Sequence, residues 1–180
     1  IAVLKFLAFP LLGVSGLLAV VAAVLLMSAG EVQTAQLPLG LPWLPWQVRL
    51  DVLGSLFLLI IGIVTCAVAV FGPGYVGEYA HGDQPLVQLG VFTGLFIAGM
   101  QLVVLANDAF LFMLAWELMS LSSYFLVVFH HENAADRRAG FLYLLMAHVG
   151  GLVILLGYGV LATFGDGFGF DAMRAAELSP

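Results

Sequence analysis

Long apolar runs alternate along the chain with short polar stretches, and nowhere does an apolar-polar alternation of two-residue period suggest a barrel. A hydrocarbon core of about 30 Å takes about 20 apolar residues at the helical rise. Five runs meet that length, near 3–29, 52–72, 86–106, 109–129 and 139–164. Backbone groups in lipid find partners only within a helix or a closed barrel, so these runs predict an all-α integral membrane protein of five transmembrane helices. The stretches between them, "GEVQTAQLPLGLPWLPWQVRLD", "GPGYVGEYAHGDQP", "ND", "HHENAADRR" and "FGDGFGFDAMRAAELSP", read as loops and interfacial turns. Trp43 and Trp46 place the first of these on the membrane surface, because indole rings favour the headgroup level. Glycines in "GVSG" and "GGLVILLGYG" allow helix backbones to approach closely.

Composition strengthens this reading. Of 180 residues, 63% are hydrophobic and 9% charged, and no soluble body remains to bury five spans. All 180 residues form one transmembrane domain, with no peripheral catalytic domain. The net charge of -6 comes from few groups and includes no basic patch, which excludes nucleic acid as a partner and leaves the lipid bilayer as the certain one. The first run is too long for a signal peptide and lacks a cleavage site. Because the chain starts at Ile1 and stops in a polar connector, it reads as a segment of a longer subunit. Lys5 and the 130–138 loop with Arg137 and Arg138 fall on one side, Arg49 and Arg174 on the other. The positive-inside rule places the first side in the cytoplasm of a prokaryotic inner membrane.

Chemistry then narrows to a few positions. Glu117, in "LAWELMSL", lies near the middle of the fourth run, where insertion of an acid costs about 2.5–3.5 kcal/mol and desolvation disfavours the anion. Ser120 and Tyr124 follow on the same helical face, and their hydroxyls could hold water in a proton-conducting chain or simply bond and pack locally. His148 is the second ionisable group at membrane depth, and it suits either a proton relay or a neutral imidazole bonded between helices. His130 and His131 beside Glu132 make a poor metal set, and the single cysteine, Cys66, reads as a small buried hydrophobe. Asn107 or Asp108 suits a helix N-cap. With no phosphate-binding loop, cysteine cluster or nucleophile-base pair, the chain is expected to hold no cofactor or metal and to have no catalytic residue of its own.

The segment "LANDAFLFMLAWELMSLSSYFLVVFHHENAADRRAGFLYLLMAHVGG" resembles the antiporter-like membrane subunits of complex I, Mrp-type cation/proton antiporters and membrane-bound hydrogenases. "WELMSLSSYFLVVF" followed by "RRAGFLYLLMAH" is nearest in form to the hydrogenase-4 and formate hydrogenlyase branch. "RLDVLGSLFLLIIGIV" and "FGPGYV" extend the likeness over residues 48–164. The resemblance implies a larger bundle built on inverted repeats, a polar axis at the midplane, and a role for Glu117 in moving protons or monovalent cations. It implies other membrane and peripheral subunits as partners, with Fe-S clusters and a [NiFe] centre in those partners. It also implies a lysine on a later helix as the modulator of the acid, a residue with no counterpart in this sequence. A stand-alone Mrp-type antiporter subunit and a non-transporting scaffold are the alternatives.

Overall fold

The computed structural model describes residues 7–78, 86–129, 132–165 and 167–176. Among them are five long helices, a hairpin of two strands and one short helix: α1 (Phe9–Ala29), β1 (Gln33–Leu41), β2 (Leu44–Leu50), α2 (Val52–Glu78), α3 (Leu86–Leu105), α4 (Ala109–Val127), α5 (Ala134–Phe164) and α6 (Phe170–Ala175). All five long helices are apolar enough to cross a membrane. Their outward faces carry large apolar side chains such as Leu18, Phe71 and Met146, 64–74% exposed, which suits contact with lipid and not with water. This is a multi-pass membrane protein. Lys5, His130 and His131 lie outside the described residues, as does the part of the first run before residue 7.

Helix ends follow from local chemistry. Pro10 occupies the first turn of α1, where a missing N–H costs nothing, and Gly30 closes that helix in the left-handed region with φ 69°. Asp51 accepts a hydrogen bond from the Gly54 amide at 2.8 Å and starts α2. Asp108 accepts from the Leu111 amide to cap α4, and Asn133 accepts from the Ala135 amide to cap α5.

Two helix boundaries differ from the sequence expectation. The second run was expected to end at residue 72, before the Pro-Gly turn, but α2 continues through Pro73 to Glu78. A proline is tolerated inside a membrane helix more readily than in water, and here the missing side chain of the preceding Gly72 leaves room for the Phe9 ring of α1. Helix α5 begins at Ala134 and not near 139, so the charged "ADRR" stretch forms its first turns. At 31 residues it is longer than the bilayer core requires, and Arg137 and Arg138 lie in its first turns.

The first polar stretch is not an irregular loop. Strands β1 and β2 pair antiparallel from Gln33↔Leu50 to Leu41↔Leu44 around the Pro42–Trp43 turn, with a register shift between Gln36 and Gly40 that accommodates Pro38. Trp43, at the tip, is 76% exposed, in keeping with an interfacial position.

Helices neighbouring in sequence pack side by side, most extensively α1 on α2, α3 on α4 and α4 on α5. Gly16 and Gly62 let α1 and α2 approach: a Cβ on either would stand 2.9 Å from the other's carbonyl oxygen. Cys66 sits at this crossing, with its sulfur 2.8 Å from where a Gly16 Cβ would be, so it packs as a small apolar side chain. The hairpin, the α3–α4 break and α6 gather at one end of the bundle; the start of α5 lies at the other.

Candidate functional site

The start of α4 is fixed by backbone hydrogen bonds to both neighbouring polar segments. The Asn107 amide donates to the Gln47 carbonyl of β2 at 2.8 Å, the Phe170 amide of α6 donates to the Asn107 carbonyl at 2.9 Å, and the Ala109 amide donates to the Phe168 carbonyl at 2.9 Å. Asp108, with no exposed surface, uses one carboxylate oxygen for the Leu111 amide and the other for the Gln47 amide, each at 2.8 Å. Beside it Asp171 accepts from the Asn107 side-chain amide (Nδ2) at 2.7 Å and from Arg49 at 2.9 Å, and it pairs with Arg174 on its own helix. The Asn107 hydrogen bond, with the Arg174 and Arg49 charges, holds the Asp171 carboxyl below the usual Asp value against an opposing cost of burial. Sequence reasoning left the cap open between Asn107 and Asp108, of which the structure gives Asp108, and it missed this cluster, for which Asp171 and Arg174 at i, i+3 were the available signal.

From this anchored end α4 runs into the bundle, and a little over two turns beyond Asp108 it presents Glu117. Helix α5 returns antiparallel and brings His148 to the same level. Glu117 Oε2 lies 3.3 Å from His148 Nε2. The other ring nitrogen, Nδ1, is 2.9 Å from the Leu144 carbonyl oxygen. A carbonyl can only accept, so this bond places a hydrogen on Nδ1. In the neutral imidazole Nε2 then turns its lone pair towards Glu117.

Both side chains line a groove of about 750 Å³ between α4, α5 and the hairpin. Its remaining walls are apolar, from Leu39, Leu41 and Trp46 on the hairpin to Phe110 and Leu114 on α4 and Leu155 on α5. The acid therefore faces neither a packed core nor a cluster of other charges. Among the described residues no group of three potential metal ligands occurs.

Of the sequence candidates, Glu117 and His148 are brought together directly. Ser120 is buried at 1% exposure, and no hydrogen bond joins it to Glu117 among the described residues. Tyr124 packs towards α5, its ring 3.3 Å from the position a Gly140 Cβ would take, and against Phe125 with ring centroids 5.3 Å apart. It stands about 10 Å from Glu117 along the helix axis, too far for direct proton exchange. Two residues stand next to the pair: Trp116, which the sequence did not single out, and Gly151, which it singled out only as one of the glycines of "GGLVILLGYG" that allow close helix approach. Trp116 donates its indole N–H to the Ala147 carbonyl at 3.4 Å, and Gly151 faces both the indole and the Glu117 carboxyl.

A family model described as NADH:quinone oxidoreductase/Mrp antiporter, TM, matches residues 106–178, the stretch that carries both members of the pair. Among curated proteins the chain is similar to hydrogenase-4 component B of Escherichia coli, with 30% identity over 132 residues, 73% of this chain and 19% of that protein. It is similar to the Na⁺/H⁺ antiporter subunit A1 of Staphylococcus aureus, with 30% identity over 77% of this chain and 18% of that protein. The chain thus spans about a fifth of the length of such relatives. In fold it is similar to a chain of the archaeal membrane-bound sulfane sulfur reductase, with a TM-score of 0.79 and 17% identity over 96% of this chain and 34% of that one. A chain of the Mrp complex from Dietzia gives a TM-score of 0.72 and 21% identity over 90% of this chain and 30% of that one.

Proposed function

This chain belongs to the antiporter-like membrane subunit family that complex I shares with Mrp antiporters and membrane-bound hydrogenases, and from that premise we propose that Glu117 and His148 form a proton-transfer step within such a subunit. The observation that carries the reading is the 3.3 Å approach of Glu117 Oε2 to His148 Nε2 between two membrane-spanning helices. With Glu117 protonated, its O–H donates to the Nε2 lone pair. Moving that proton across leaves a carboxylate and an imidazolium whose Nε2–H donates back to the same oxygen. One proton thus has two adjacent sites, and the charges created by transfer stay in contact.

Ser120 and Tyr124 continue the α4 face and are candidates to hold water on the same path. In this reading the driving energy comes from partner subunits of a hydrogenase-type or complex I-like assembly, with Fe-S clusters and a [NiFe] centre on the partner side. The similarity to the Na⁺/H⁺ antiporter subunit favours a second reading, cation/proton exchange without redox partners. Recovery of Fe-S and [NiFe] subunits on purification from native membranes separates the two readings.

Glu117→Gln in the native assembly tests the proton step. Proton uptake by inverted vesicles is expected to fall about a hundredfold, the scale of losing a positioned proton-transfer group, while the assembly still forms. Undiminished uptake by this variant would sink the proposal.

A further inference from the structure

Glu117 and His148 come from different helices, and their contact tolerates little sliding. A slip of one residue moves a helix by about 1.5 Å along its axis, enough to take a 3.3 Å approach out of hydrogen-bond reach. Among the described elements α5 packs chiefly on α4, with a smaller contact to α6, so its register at His148 depends on what α4 offers there.

What α4 offers is Trp116, the residue before the acid. Its indole Nε1–H donates to the carbonyl of Ala147, the residue before the histidine. Gly151, one turn further along α5, makes this possible. A Cβ there would stand 3.3 Å from the indole nitrogen, 3.4 Å from its Cδ1 and 3.5 Å from Glu117 Oε1, so a side chain would crowd both the donor and the acid. The indole is itself steadied by Phe112, one turn earlier on α4, with centroids 6.2 Å apart and ring planes inclined by 21°. Phe112 in turn meets Tyr158 of α5 edge-on at 5.5 Å.

We infer that Trp116 is a positioning residue: through its hydrogen bond to Ala147, in the space left by Gly151, it sets the register of α5 so that His148 meets Glu117. The inference rests on the proton-transfer reading of that pair, and it assigns Trp116 no contact with the proton.

The test is solid-state NMR on the full chain in lipid bilayers, with ¹⁵N-labelled histidine and ¹³C-labelled glutamate. It reads the His148 imidazole ¹⁵N pattern and the dipolar coupling between His148 Nε2 and Glu117 Cδ. Trp116→Phe removes the N–H donor and keeps an aromatic ring. It is expected to abolish the coupling and to give the imidazole pattern of Glu117→Gln. Gly151→Ala keeps the donor, crowds it and is the better helix former; it is expected to change the imidazole pattern in the same direction. Retention of the coupling and the parental pattern in Trp116→Phe overturns the inference, and if that variant does not insert, a parental result for Gly151→Ala does so. Should Glu117→Gln itself leave the His148 pattern unchanged, the pair is not a functional unit and both readings fail. A changed pattern in Glu117→Gln with a parental one in Trp116→Phe removes only the positioning role.

Discussion

Asp108 and Glu117 are carboxylates at either end of the same stretch of α4, and their surroundings differ in kind. Asp108 is fully buried, and each of its oxygens accepts a backbone amide, one from α4 and one from β2. Glu117 opens into an apolar groove, and its polar contact among the described residues is the His148 imidazole, a group that can both take up and release a proton. Amides do not exchange their protons with a carboxylate at neutral pH, so the first arrangement holds a shape. An imidazole does exchange, and the proposed proton step therefore falls on the second. Position within the membrane says less about the role of an acid than whether its partner can titrate.

Replacing the two acids should separate these roles. Asp108→Ala removes an N-cap, worth about 0.5–2 kcal/mol, and leaves the buried Gln47 amide without a partner at about 1–3 kcal/mol more. A total near 3 kcal/mol, read as unfolding in detergent, is the largest effect expected. Glu117→Gln, which alters a single contact at the groove wall, should cost less, about 0.5–1.5 kcal/mol as for one hydrogen bond. If Glu117→Gln unfolded the chain as readily as Asp108→Ala, the distinction between a structural and a mobile acid would collapse.

The smallest effect concerns acid pH. The Asp171 carboxyl titrates below its unfolded value, so its contribution is present above the ordinary Asp range and is lost as pH falls through the lower, folded value. Protonation weakens its links to Asn107, Arg49 and Arg174. Amide hydrogen exchange at Asn107 and Phe170 should therefore speed up, relative to the intrinsic rate, only below the usual carboxylate range. Acceleration that begins near neutrality would point to another group.

The spans were legible because apolar length alone defines them. The hairpin was hidden by Pro38, Pro42 and Pro45, which read as loop punctuation; the structure places the first at the register shift, the second in the turn and the third opposite Gly40. Pro73 misled in the same way, since membrane helices tolerate an internal proline that would end a helix in water, and α2 runs through it. Glu117 stood out by its cost, and His148 by sharing the adjacent antiparallel span. Their meeting depends on helix register, which Trp116 and Gly151 help define, and neither an indole nor a glycine in an apolar helix signals that by type. The Asp171 cluster joins residues from three separate polar segments, and only the folded chain brings them together.

The shared proton can be watched most directly by infrared difference spectroscopy of the chain in lipid bilayers as pH is stepped. If Glu117 and His148 hold one proton between them, the carboxyl C=O band and the imidazole ring bands change together over the same pH steps, and both changes disappear in Glu117→Gln. Imidazole bands that titrate identically in the parent and in Glu117→Gln would contradict the pair and the proton step built on it.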